Sequence, residues 1–212
     1  HTRSFHVTGV QTCALPIWPI TVMSLFYRLL TGIRAGQILA QLSCQAASMQ
    51  CGFMQGKEAA DVWYFVGVCL ELATHQSVPV HGLVADLVKA YNTLPRKPVF
   101  FCLERLGVPV WFLQAWQAHL DQFERFFVVR RCTSDPILSV TGFPEGCPLA
   151  CAAMTALDFF WHWSISSSVL RVLPISFVDN LELLCDTLPD LFAAASAQEH
   201  LCQALDLEID KP

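Results

Sequence analysis

"VLPISFVDNLELLC", residues 172–185, places one carboxylate, Asp179, between two apolar runs, with an amide, Asn180, beside it. The two runs read as the arms of a buried hairpin and Val178-Asp179-Asn180 as its tip. A charge at the end of a buried strand is costly unless it is solvated, paired or metal-bound. A second stretch repeats the pattern: "VPVHGLVA", residues 78–85, is apolar and ends at Asp86. If the two strands are neighbours, both carboxylates converge on one rim. Hard oxygen ligands gathered there suit Mg²⁺, which takes one or two carboxylates and completes its shell with water and phosphate. Two such ions can activate a hydroxyl nucleophile and stabilise the leaving oxygen of a phosphoryl transfer. The plainer reading, a pair of turn-forming aspartates, stays open on these residues alone.

Composition bounds the rest. The 212 residues are 54% hydrophobic and 15% charged, which argues for a sizeable core and against disorder. A mean hydropathy of +0.44 raises a membrane-associated helical protein as a third-ranked reading. Its best candidate segment, "CPLACAAMTALDFFWHWSI" at 147–165, carries Asp158 and His162 in its middle, so it reads as a buried helix, not a span. Thirteen basic residues stand against eighteen acidic, a net charge of −5 that counts against strong nucleic-acid binding by this stretch alone. Ten cysteines and seven histidines show no zinc-like spacing and no secretory signal precedes them, so buried free thiols in an intracellular setting are expected.

Along the chain, "PITVMSLFYRLLTGIRAGQILAQL" opens extended and turns helical, with Leu25, Leu29 and Leu30 on one face, Ile33 near it, and Arg28 and Arg34 off that stripe. "EAADVWYFVGVCLELATHQ" reads as a long, largely buried helix, and "VPVHGLVADLVKAY" as a buried strand running into a turn or short helix at Asp86. "RKPVFFCLERLG" and "VPVWFLQAWQAHLDQFE" are helices, the first with Pro98 in its opening turn and Gly107 at its end. "RFFVVRR" and "PILSVTG" read as two paired strands, and "TLPDLFAAASAQEHLCQALD" as a final helix. Strands and helices mix without strict βαβ alternation, which predicts an α+β fold with an antiparallel sheet packed on helices.

Several blocks then align with one family. "ADLVKAYN" resembles motif A of reverse transcriptases, "GFPEGCPLA" resembles motif B (Pro-Gln-Gly-x-Pro-Leu-Ser) and "FVDN" resembles motif C (Phe/Tyr-x-Asp-Asp). Upstream, "PITVMSLFYRLLTGIR" is similar to the fingers segment and "CGFMQGKEAADV" to the Gly-Phe-x-x-Gly-Arg-Ser-x-x-Asp block. The blocks keep the family's order from about Pro19 to the end, closest to enzymes of non-LTR retroelements and group II introns. The resemblance implies a right-hand polymerase fragment, with fingers over about 18–78, palm over about 79–212 and no thumb. It implies an RNA-directed DNA polymerase acting on an RNA template, a DNA primer and a dNTP, with two Mg²⁺ ions and no membrane partner. Asp86 and Asp179 would be the catalytic metal ligands, with Asn180 a weak third. Tyr91 would lie under the incoming sugar, Gly146 and Pro148 would shape the nucleotide-supporting turn, and Arg34 and Lys57 would reach phosphate.

Three positions depart from the family pattern. Asn180 replaces the second motif C Asp, Asn92 the later motif A Asp, and Glu145 the motif B Gln. They motivate the alternative of a decayed, non-catalytic retroelement relic that keeps the fold. Residues 7–17, "VTGVQTCALPI", resemble a translated sequencing-library adapter, so residues 1–17 are expected to be an artefactual tail with Trp18 at the junction. "LEIDKP" resembles the start of motif D, with Lys211 near that motif's lysine.

Overall fold

The computed structural model describes residues 21–129 and 132–210. The tail, Trp18 and Lys211 fall outside these. Two helices come first, α1 (Leu25–Ser43) and α2 (Ala59–Gln76), then strand β1 (His81–Asp86). The short α3 (Ala90–Thr93) precedes α4 (Arg96–Arg105) and α5 (Val110–Asp121). Four two-residue strands follow: β2 (Glu124–Arg125), β3 (Val128–Val129), β4 (Cys132–Thr133) and β5 (Ile137–Leu138). The chain ends in α6 (Pro148–Ser168), β6 (Leu173–Phe177), β7 (Asn180–Cys185) and α7 (Leu188–Ala204). This is a mixed helix–sheet fold with small antiparallel sheets.

The main sheet has three strands in the order β1-β7-β6, all antiparallel. The central strand β7 alternates cleanly: Leu181, Leu183 and Cys185 turn into the core while Glu182 and Leu184 are half-buried on the other face. Beneath the sheet, α6 is buried on nearly every side. Its alanines Ala150, Ala152, Ala153 and Ala156 let α1, α4 and α7 close around it. Trp161, 1% exposed, fills the space toward α7 and donates its indole N–H to Gln198 Oε1 at 3.3 Å.

The expected helices form, but their burial differs from the sequence reading at two places. The helix α2 buries only Val62, and Trp63 and Tyr64 are exposed. Its described contacts run to β6, where Val62 joins Cys51 and Ile175, so one narrow stripe is covered. Likewise β1 is an edge strand, not a buried one. Among the described residues its one strand partner is β7, while its tip carbonyl at Asp86 also accepts the Asp210 N–H, and Leu83 and Val84 are exposed. On α1 the buried stripe is Thr31, Ala35, Ile38 and Leu42, while Leu25, Leu29, Leu30 and Ile33 face outward.

"RFFVVRR" and "PILSVTG" do not form one ladder. Glu124–Arg125 pairs with Ile137–Leu138, whereas Val128–Val129 folds back onto Cys132–Thr133. The nearer partner closes the shorter loop at lower entropic cost. Gly107 ends α4 with φ +91°, as its position after the last helical turn predicts. The described cysteines are free thiols. Among the described residues, no helix is long and apolar enough to cross a membrane.

Candidate functional site

The site is built by strand register. Asp86, the last residue of β1, lies opposite Asn180, the first of β7, and Phe177 lies opposite the same Asn180 from β6. Val178 and Asp179 therefore form a two-residue hairpin turn beside the end of β1, and the Leu87 N–H donates to the Asp179 carbonyl at 3.3 Å. The two strand tips meet on one rim. Burial holds the Asp179 carboxyl above the usual carboxylate range; its own backbone N–H offsets part of this, and the neighbouring Asp86 charge adds to it. Asp86 and the half-buried Asp179 thus bring hard oxygen donors to neighbouring strand tips, the donor type that suits a divalent cation such as Mg²⁺. Among the described residues no group of three or more His, Cys, Asp or Glu side chains converges.

The turn is held from its flank. Val178 adopts φ +61°, an unfavourable conformation for a β-branched residue, at a position where tight hairpin turns need positive φ. Gly52 abuts it: a Cβ there would fall 2.4 Å from the Val178 nitrogen, so no other residue allows this approach. The loop carrying Gly52 is tied to β6 by Cys51 N–H to Ser176 O at 2.9 Å and Ser176 N–H to Met49 O at 3.0 Å. Lys57 clamps that loop, donating from Nζ to the carbonyls of Ala47, Ser48 and Gln50 at 3.3, 2.6 and 2.9 Å. Lys57 thus spends its ammonium on backbone and supports the hairpin instead of standing free to meet phosphate.

Tyr91, half-buried on α3, sits in the same neighbourhood. Burial first, then the charges of Cys151, Asp179, Asp158 and Glu145, push its phenol above the ordinary value, so it stays a neutral hydroxyl. Its carbonyl accepts the Phe143 N–H at 2.6 Å, and Gly142 N–H donates to Leu94 O at 3.1 Å. Gly142, at φ +72°, is required here because a Cβ would sit 2.3 Å from the Asn92 carbonyl oxygen. Gly146 is exposed at φ +92°, and Pro148 opens α6. Arg34 is exposed on α1 and donates to Gln37 of the same helix at 2.9 Å, with no described contact to the acid pair.

Two of the three family departures touch each other. Asn92 Nδ2 donates to Glu145 Oε1, and Arg125 Nη1 donates to Asn92 Oδ1 at 3.2 Å. Burial raises the Glu145 carboxyl, and the Asn92 bond and the Arg125 charge oppose that rise. The Glu145 charge is therefore tied to its neighbours, not left bare.

Sequence reasoning missed two groups. Arg96, 7% exposed, donates to the carbonyls of Gly142, Ser139, Thr141 and Leu120 and pairs with Asp121, fixing the loop before α6. Nothing in "LPRKP" signals that role. The second is a buried polar cluster of Asp158, His162, Ser176, Gln50 and Thr155 beneath β6. Asp158 and His162 inside an apolar helix were its visible signal. A groove of about 280 Å³ between α4 and α5, lined in part by Lys97, Phe100 and Gln117, lies on other elements and takes no part in the site.

Comparison with known proteins places the fold. No family model matches the chain, and no curated protein sequence matches it. Among solved structures it is similar to telomerase from Candida albicans in complex with a TWJ fragment of telomeric RNA, with TM-score 0.64 and 12% identity, over 87% of this chain and 35% of that one. It is also similar to apo telomerase from Candida tropicalis truncated from its C-terminal domain (TM-score 0.61, 11% identity, 88% of this chain and 40% of that one). A third is the C. tropicalis telomerase with the TWJ fragment (TM-score 0.63, 9% identity, 87% and 32%). The chain has a fold similar to that of telomerase, a reverse transcriptase, and spans 32% to 40% of those chains.

Proposed function

We propose that this chain is the fingers–palm portion of an RNA-directed DNA polymerase, joining a primer 3′-hydroxyl to a deoxynucleotide on an RNA template. The observation that carries the reading is the register that sets Asp86 against Asn180 and so brings Asp179 to the same rim. The telomerase-like fold and the order of the sequence blocks support it. Residues about 18–78 would serve as fingers and about 79–212 as palm.

In this reading Asp86 and Asp179 hold Mg²⁺, and Asn180 contributes at most a neutral carbonyl oxygen. Bound Mg²⁺ would lower the primer hydroxyl's pKa and offset charge on the transferred phosphate. The chain's own residues do the positioning. Tyr91 presents a neutral aromatic face beside the acids, where a sugar would stack. Gly146 and Pro148 shape the turn into α6, and Arg34, exposed on α1, would reach phosphate. Most of the rate would come from holding the hydroxyl and phosphorus in line.

The test is primer extension on RNA by the full reading frame that contains this chain. Asp179→Ala is expected to lower incorporation at least about 100-fold, the scale of losing one group that stabilises transition-state charge. Equal incorporation by both proteins overturns the reading. The relic alternative is weighed in the same assay through Asn92→Asp and Glu145→Gln. Because those residues bond to each other, the Asn92→Asp single change sets two carboxylates face to face. The double change is expected to recover what that single loses, a coupling of about 1 kcal/mol. A relic predicts no activity until Glu145→Gln is joined by Asn180→Asp at the strand tip.

A further inference from the structure

The polar cluster beneath β6 is the least expected feature of the core. Asp158 is 1% exposed, Ser176 and Gln50 0%, Thr155 0% and His162 4%. Thr155, Asp158 and His162 lie on one face of α6, three and four residues apart, and turn toward β6. His162 Nε2 lies 3.0 Å from Ser176 Oγ, and the same hydroxyl stands beside the Asp158 carboxyl. Gln50 Nε2 donates to the Thr155 carbonyl at 3.0 Å, and its backbone pairs with Ser176 in a parallel bridge. Asp158 Oδ1, Thr155 Oγ1 and Gln50 Oε1 have no protein partner among the described residues.

A core built for stability alone would fill this place with apolar side chains, since each orphaned polar atom costs about 1–3 kcal/mol. Burial drives Asp158 well above the carboxylate range, with the Asp179 charge adding and Ser176 opposing. Burial, and then the Lys57 charge, lowers His162 to about 4. His162 is therefore neutral at neutral pH, and Asp158 is pushed toward its neutral form. The Ser176 hydroxyl thus lies between the Asp158 carboxyl and His162 Nε2, so one side chain of β6 is engaged from both sides by α6. Ser176 lies on β6, three residues before Asp179.

We infer that the Asp158–Ser176–His162 relay is a positioning device that fixes β6 from below and so sets where Asp179 stands relative to Asp86. It rests on the reading of Asp86 and Asp179 as a cation site, and it adds three residues that never touch the cation. The relay holds the hairpin from α6, while Gly52 and the Lys57-clamped loop hold it from the side.

The experiment measures Mn²⁺ binding to the full chain by electron paramagnetic resonance, with near-UV circular dichroism as the folding check. Ser176→Ala and Asp158→Leu are expected to weaken Mn²⁺ binding roughly 10-fold, the scale of losing a group that orients a metal ligand. Asp158→Asn keeps a hydrogen-bonding group toward Ser176 and is expected to stay within about threefold of wild type. If Asp158→Leu does not fold, the contrast between Ser176→Ala and Asp158→Asn decides alone. Folded Ser176→Ala with wild-type affinity overturns the relay while leaving the cation site intact. Wild-type protein whose Mn²⁺ binding is unchanged by Asp86→Asn with Asp179→Asn overturns the site itself, and the relay with it.

Discussion

The two halves of this molecule treat their apolar residues in opposite ways. In the α6–β6–β7 seam most apolar side chains are buried, Trp163 being an exposed exception, and even a carboxyl and an imidazole are taken inside. In the α1–α2 layer the reverse holds. Phe26, Trp63 and Tyr64 are 84%, 75% and 77% exposed, and each helix buries only one stripe. The contrast teaches that apolar content and burial are separate properties. A helix is buried all round only when neighbours arrive on every side, as α1, α4, α7 and the sheet do around α6.

The largest expected effect lies at the heart of the seam. Leu183 is fully buried on the central strand, and Leu183→Ala should cost about 2–5 kcal/mol in urea unfolding. A loss below about 1 kcal/mol would mean the seam is no tighter than the helical layer. The next effect is a pH dependence peculiar to the seam. The folded-state pKa of His162 is lowered from 6.5 to about 4, so its neutral form is favoured in the folded protein. Its contribution is fully present above pH 6.5 and is lost as pH falls toward 4. His162→Gln should flatten that acid limb, by an amount of up to about 3 kcal/mol. Parallel stability–pH curves for the two proteins between pH 6.5 and 4 would refute this. The smallest effect belongs to the other half: Phe26→Ser on α1 should change stability by no more than about 0.5 kcal/mol, because that side chain is already in water. A cost above 2 kcal/mol would erase the contrast.

The same contrast separates what the sequence revealed from what it hid. The hairpin was legible because two apolar runs flank a single polar tip, and strand period and turn chemistry are local properties. The helix punctuation at Pro98 and Gly107 was legible for the same reason. The burial of α2 was not, because its stripe is set by a contact with Ile175 that lies far along the chain. Nor was the meeting of Asn92 with Glu145, which depends on Gly142 and Phe143 docking onto α3. At Lys57 the residue type pointed to phosphate, but three nearby carbonyls claim it first.

The tie between Cys51 and Ser176 gives assembly of the site an order in time. The loop near Gly52 is made early, yet the strand that completes its hydrogen bonds emerges from the ribosome only after α6 has been synthesised. Bringing such distant segments together carries a loop-closure cost that local helices do not face. The rim with the two acids is therefore a late product of folding, and a chain stalled before Ser176 would hold finished helices around an unbuilt centre.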